Sequence, residues 1–322
     1  MNPVGETDVV ATYLSFAEQQ TGSSPTFHAW AEGILDDPQV LALIAELPPG
    51  KQQPNLVFAS ARWHGASGDY ARLRRVLVDH WDDVRDVVLT RATQTNEVAR
   101  CASLLPVLAS LPGPLALLEV GASAGLCLYP DRYSYRWSDG VSLDPVDGPS
   151  DVVLACTAHG ATPLPDRLPT VAWRGGVDLN PLDVRDHDSV QWLETLVWPE
   201  HAERRDRLRA AVEVVRKDPP TLVRGDALEV LPALVATVPG DATVVVFHSA
   251  VLAYFSPADR ERFVDLVQGL RGHWVSNEGA RVLPSVAATA TTDPPPVTPF
   301  LLALDGRALA WTDGHTGDLW WM

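Results

Sequence analysis

Residues 115–126, LALLEVGASAGL, constrain the chain more than any other stretch. An apolar run ends in an acid, Glu119, and then Gly121, Ser123 and Gly125 follow at alternate positions with small residues between them. Such a run reads as a buried parallel strand entering a tight turn, where missing side chains let another group approach the backbone. The dinucleotide-binding fingerprint needs a third glycine one place further on, and Leu126 stands there instead.

The rest of the chain sorts around this turn. Residues before about Pro112 read as helical. Asp69 is placed to cap a helix whose Tyr70, Leu73, Leu77 and Trp81 share a face. Val98, Cys101, Leu104, Leu105 and Leu108 make a second stripe, ended by Pro112, Gly113 and Pro114. Residues 10–17 and 40–47 also have helical character. Beyond Pro114, strands are expected at 115–120, 170–173 running toward Asp178, 221–224, 243–247, 274–277, 300–304 and 308–311. Helical segments alternate with them, the pattern of a mostly parallel sheet covered on both faces. Asp305 and Gly306 signal a two-residue antiparallel hairpin at the end. Residues 291–299, with four prolines, are a loop. Pro130 should stop the first helix after about two turns, and 132–137 with 151–157 should form an inserted hairpin. The expected organisation is an N-terminal helical region, 1–112, and an α/β domain, 113–322, with that insertion near 131–169.

Charge narrows the partners. The formal net charge is −16, with 41 acids against 25 Lys plus Arg. A field of that sign opposes binding to nucleic acid, which depends on neutralising phosphates. The densest basic run, Arg204, Arg205, Arg207 and Arg209, shares a predicted helix with Leu208, Ala211, Val212 and Val215, so it reads as a solvated helix face. No stretch approaches the roughly 18 apolar residues of a membrane span. The first residues lack a basic segment followed by an apolar one. Cys101, Cys127 and Cys156 show no C-x-x-C spacing and read as buried free thiols. A cytoplasmic protein with no membrane or nucleic-acid partner is expected.

Candidate functional residues cluster at predicted strand ends, where open α/β sheets place their chemistry. Glu119 and the small residues after it either seat a ligand or only permit tight packing. Asp178 is either a carboxylate for a ligand's hydroxyls or a helix cap, and Asp131 is its rival. Asp178 lies much further past Glu119 than the roughly 20 residues of the dinucleotide analogue. Asp226, before Ala227, is likewise a ligand contact or a cap. His248, with Tyr254 shortly after, is placed for general-base or orienting work near neutral pH, or donates to a backbone carbonyl. Asn277 and Glu278 end the next strand. Gln94, Asn96 and Glu97 put more polarity at a helix start than capping by Thr93 or Thr95 explains, and could wall a site. Trp63, His64 and His315 stand alone and read as structural. No His, Cys, Asp and Glu set has metal-ligand spacing, and GASAG is not read as a hydrolase elbow: Ser123 is central, as in G-x-S-x-G, but no triad order can be assigned.

Glu119 followed by this spacing resembles the first motif of class I S-adenosylmethionine-dependent methyltransferases. The wider set TQTNEVARCASLLP, LLEVGASAGL, PDRY, VDLNPLDV, LVWPE, GDA and VVVFHSAVLAY resembles a bacterial, largely actinobacterial, family known as a domain of unknown function, over nearly the whole chain. This chain has Ser123 at the second position of that family's glycine turn, and Cys127 where Asn is expected. The resemblance implies a Rossmann-like methyltransferase sheet, mostly parallel, with an antiparallel C-terminal hairpin and an N-terminal helical domain. It implies S-adenosylmethionine held by Glu119, Gly121, Ser123, Gly125, Asp178, Asp226 and Ala227, with the helix N-terminus after the turn facing the ligand's carboxylate. A small-molecule or protein acceptor would be oriented or deprotonated by His248, beside Tyr254. Two other readings stand: a non-catalytic ligand-sensing or interaction module on the same sheet, and a dinucleotide-dependent oxidoreductase.

Overall fold

A computed structural model gives the fold and describes residues 8–20, 22–94, 96–296, 299–313 and 317–322. The readings of Thr95 and His315 lie outside the described residues. The chain divides into two compact units, Met1–Thr95 with His187–Asp206, and Asn96–Asp186 with Arg207–Met322.

The first unit is helical. It contains α1 (Val9–Gln20), α2 (Pro25–Leu35), α3 (Pro38–Ala45), α4 (Pro54–Trp63), α5 (Tyr70–Asp79) and α6 (Trp81–Thr90), joined later by the helix His187–Leu196. The starts follow from local chemistry. Ser24 accepts from Phe27 N and Asp37 from Gln39 N and Val40 N, while Pro25 and Pro38 take first-turn positions that need no N–H. Asp69 caps α5 by accepting from Arg72 N. The expected stripe does not run in one helix to Trp81, because the chain breaks at His80 and Trp81 opens α6. Phe27 stacks on Trp30 at 5.4 Å and Phe58 meets Trp30 edge-on at 5.4 Å, at the centre of this unit's core.

The second unit is an α/β layer structure on a mixed, mostly parallel sheet. Its strands are β1 (Leu115–Val120), β2 (Ser134–Trp137), β3 (Ser142–Leu143), β4 (Val153–His159), β5 (Val171–Asp178), β6 (Thr221–Arg224), β7 (Thr243–Ser249), β8 (His273–Gly279), β9 (Pro299–Leu304), β10 (Arg307–Asp313) and β11 (Asp318–Trp321). The order across the sheet is β3-β2-β4-β11-β10-β9-β8-β7-β1-β5-β6. From β6 through β5, β1 and β7 to β8 all pairings are parallel. All six residues of β1 are buried, as a central parallel strand covered on both faces requires. β9 then returns antiparallel to β8, and Asp305 (φ 50°) with Gly306 (φ 79°) turns the chain into β10. Strand order reverses between β1 and β7, and such reversals are where open α/β sheets leave a crevice at the strands' carboxyl ends.

The helices of this unit are α7 (Arg100–Ser110), the part of α9 (Ala202–Lys217) from Arg207 on, α10 (Ala227–Ala236), α11 (Pro257–Gly269) and the short α12 (Pro284–Ala287), α8 being the His187–Leu196 helix of the first unit. Residues 100–108 of α7 are all buried, because α7 lies against β4 and β9. The two compact units divide between Thr95 and Asn96, ahead of α7.

Two local expectations are corrected. The predicted strands near 132–137 and 151–157 do lie side by side, but β2 and β4 run parallel. The hairpin is made by β2 with β3, leaving β4 to pair with β11 and join the insertion to the main sheet. No α-helix follows the bend after β1: residues 126–128 and 130–132 form single 3-10 turns around Pro130. A helix dipole aimed at a ligand there falls away. The three cysteines are free and buried. Among the described residues no helix is long and apolar enough to cross a membrane.

Candidate functional site

The bend after β1 carries positive φ at alternate residues, Gly121 (71°), Ser123 (50°) and Gly125 (71°). Ser123 pays for this conformation with three bonds. Its N–H donates to Asp178 Oδ2 at 2.8 Å, its Oγ accepts from Asn96 Nδ2 at 2.5 Å, and its carbonyl accepts from Leu182 N at 3.0 Å. The remaining amides are also engaged. Gly121 N and Ala122 N donate to Val177 O, Gly125 N to Ala122 O, and Ala124 N to Asn96 Oδ1. No N–H between 121 and 125 is left for a ligand.

Close packing explains the small residues as well. A Cβ on Gly121 would stand 2.5 Å from Val251 Cγ2, and one on Gly125 would stand 2.9 Å from Pro220 Cγ. Across the sheet, Gly176 of β5 pairs with Glu119, and a Cβ there would meet Ala122 Cβ at 2.6 Å and Glu119 O at 2.9 Å. The bend is therefore filled by the chain's own groups at Gly121 and Gly125.

What the bend does offer is carboxylate. Glu119 is 9% exposed, and its Oε2 is sealed from solvent without a hydrogen-bond partner. Burial holds this carboxyl well above the usual glutamate range; Cys127 and Asp178 reinforce the effect and Arg100 opposes it. Asp178 is partly buried and accepts one amide on each oxygen, Ser123 N on Oδ2 and Asn180 N on Oδ1 at 2.7 Å. The Cys127 thiol is pushed up by its hydrogen bond with Cys101 and by burial. Arg100, also buried, donates to Ser249 O at 2.9 Å, and buried Glu97 accepts from Ala99 N and Arg207 Nη2, each at 3.1 Å.

A second group forms at the ends of β7 and β8. His248 is fully buried; Trp274 Nε1 donates to its Nε2 at 2.9 Å, so the proton sits on Nδ1, which donates to Glu278 Oε1 at 2.7 Å. Glu278 Oε1 also accepts from Val251 N and Leu252 N at 2.8 and 3.0 Å, while its Oε2 is sealed without a partner. Asn277 Nδ2 donates to Ser249 Oγ at 3.2 Å and its Oδ1 accepts from Thr312 Oγ1 at 2.8 Å.

The structure thus brings Asn96, Glu119, Ser123 and Asp178 together at the bend, and His248, Asn277 and Glu278 at the neighbouring strand ends. Both ring nitrogens of His248 are engaged in this state. Tyr254 is 81% exposed, at the end of the 3-10 turn Leu252–Tyr254. Asp226 is exposed and caps α10 by accepting from Leu228 N at 2.9 Å, with Ala227 buried behind it. Gln94 belongs to the helical unit. Asp131 is taken by Arg174 at 2.7 Å. Arg100, Gly176, Val251 and Trp274 were not legible as site residues. Only Gly176 carried a signal, a Gly-Gly pair inside a strand, which marks close backbone approach. Among the described residues no three His, Cys, Asp or Glu side chains gather as metal ligands would.

No curated protein matches the chain. A family model does, over residues 10–315, and the chain belongs to the family described as "Uncharacterized protein conserved in bacteria (DUF2332)".

Proposed function

We propose that this protein binds S-adenosylmethionine at the carboxyl edge of β1 and β5 and transfers its methyl group to a small-molecule or protein acceptor. The observation that carries the reading is Glu119, a buried carboxyl beside the strand-order reversal whose Oε2 meets no donor in the chain. Asp178 adds a second carboxyl to its surroundings, with Arg100 the opposing charge. A pyrophosphate needs free amides, and those of 121–125 are engaged, which argues against a dinucleotide. S-adenosylmethionine has no phosphate; its ammonium, sulfonium and ribose hydroxyls complement two carboxyl groups.

The remaining residues fit the same ligand. Asp178 keeps a second lone pair on each oxygen for a pair of hydroxyls. Asn96 holds Ser123 at positive φ and thereby orients Asp178. Asp226 caps α10 through Oδ1, leaving Oδ2 for an amino group. Val251, partly exposed over Gly121, must shift for a ligand to reach the bend. When bound, the cofactor supplies an electrophilic methyl group. The chain's contribution is alignment, the dominant source of acceleration in an in-line displacement. His248 acts here as a positioning residue: with Trp274 it fixes Glu278, which holds the turn at Val251 and Leu252. Tyr254, exposed on that turn, is the side chain placed to meet an acceptor.

The enclosure of His248 favours one other reading, a ligand-sensing module that binds the same cofactor without turnover. Equilibrium dialysis with S-adenosylmethionine labelled in the methyl group separates the readings. Saturable binding weakened by Glu119→Ala, followed by label transfer to a component of a small-molecule extract, supports the methyltransferase. Binding without transfer supports the sensor. No binding of the cofactor or its demethylated product overturns both.

A further inference from the structure

A second site lies wholly within the helical unit and does not depend on the reading above. A cavity of about 360 Å³ opens there, walled by Arg62, Arg205 and the turn Gly65 to Gly68. That is within the range of ligand cavities, roughly 300–1,000 Å³. Arg62, at the end of α4, is clamped from behind. Its Nη1 donates to Thr195 O and Val197 O, both at 2.5 Å, and the guanidinium lies over the Phe27 ring at 5.9 Å. Both clamping partners are neutral, so the positive charge is not cancelled.

Arg205 faces the same cavity and feels Arg62 as a like charge. Burial, together with Arg205, pulls the Arg62 guanidinium down to about 10, with Glu200 opposing. Glu200 does not bridge the pair: its oxygens accept from Ser24 Oγ at 2.7 Å and Thr26 N at 2.8 Å. Among the described residues Arg205 has no ion-pair partner. In a chain of net charge −16, two arginines sharing a cavity without an acid between them are conspicuous. The turn that lines the same cavity carries only small side chains: Gly65 and Gly68 have positive φ (90° and 74°), Ala66 and Ser67 lie between them, and no heavy atom lies within 4 Å of a Cβ built on Gly65. Trp30 Nε1 ties Gly68 O on the core side at 2.8 Å, while the amides of Ser67 and Gly68 make no bond among the described residues.

We propose that this cavity is a binding site for a small oxyanion, a carboxylate or a phosphate monoester, held between the Arg62 and Arg205 guanidinium groups with the Ser67–Gly68 backbone as third wall. Arginine forks suit such groups because their N–H pairs match two oxygens at once. A bound anion also removes the repulsion between the two cations.

The test uses the full chain in thermal unfolding with inorganic phosphate and, separately, succinate, each against sodium chloride at matched ionic strength. A specific anion raises Tm saturably by mass action. Arg62 is unsuitable for substitution because it braces two carbonyls, so Arg205→Gln is the variant, with Arg75→Gln, exposed on α5, as the charge-matched control. The expected result is a dissociation constant at least about tenfold weaker in Arg205→Gln and unchanged in Arg75→Gln. Arg205→Glu should pair with Arg62, abolish the anion response and leave the unliganded Tm no lower. Whichever anion acts at lower concentration identifies the headgroup. The proposal is overturned by the absence of a saturable rise with either anion in the native protein, or by an equal rise in Arg205→Gln.

Discussion

Replacing Glu119 by glutamine tests the electrostatic core of the account. Glutamine matches the protonated carboxyl in shape, so the substitution removes the titration and little else. Burial holds the native carboxyl well above its ordinary range, whereas in the unfolded chain it titrates near about 4.3. Between the two values the unfolded chain is ionised and the native one protonated, so folding takes up a proton. Stability contributed at this site is therefore retained at low pH and lost as pH rises, by about 1.4 kcal/mol per pH unit, until the native carboxyl itself ionises. Glu119→Gln has no such slope. Urea unfolding, read by hydrogen exchange of the β1 amides so that the sheet unit is followed, gives the difference between the proteins. The variant should gain on the native protein by that slope from about pH 5 upward, and the plateau marks where Glu119 ionises. A flat difference, or a native protein that gains on the variant with rising pH, would mean that Glu119 is ionised and paired with Arg100, and the reasoning would be wrong.

Four further outcomes are expected. Asn96→Ala removes the two bonds that Asn96 makes to Ser123 Oγ and Ala124 N and leaves a buried amide unpaired, at a cost of about 1–3 kcal/mol in denaturant unfolding. Gly176→Ala drives a methyl to 2.6 Å from Ala122 and should cost about 1–3 kcal/mol, visible as a lower Tm; an unchanged Tm would mean the β1–β5 seam is looser than described. Trp274→Phe deprives His248 Nε2 of its donor and should destabilise by about 1–3 kcal/mol. In the native protein, nitrogen NMR of the His248 ring should report the Nδ1–H tautomer, and the Nε2–H form would contradict the assigned network.

Much of the fold was legible because local chemistry and burial agree. β1 is apolar throughout, as a strand buried on both faces must be, and Asp305-Gly306 adopts the positive φ its hairpin needs. Asp69 caps the helix its sequence suggested. What failed depended on partners far along the chain. β4 reads as one arm of a hairpin until β11, from the last residues, takes its other edge. Pro130 was expected to end a helix, but none had formed before it. The site divides in the same way. Glu119, Asp178 and Asn96 announce themselves as polar residues in apolar or helical settings. Arg100 is hidden in the all-buried α7, and the enclosure of His248 rests on Trp274, whose indole reads as ordinary core. Val251 looks like one more apolar residue, and only the fold sets it on Gly121.

The most direct measurement is the number of protons released when S-adenosylmethionine binds, from titration calorimetry in two buffers of different ionisation enthalpy. Burial holds the Glu119 carboxyl well above its ordinary range, and a cation brought beside it favours the ionised form, so within that raised range the native protein should release up to about one proton on binding and Glu119→Gln none. Binding heat that is the same in both buffers, or no heat at all, would contradict the claim that this buried carboxyl is the cofactor's counter-group.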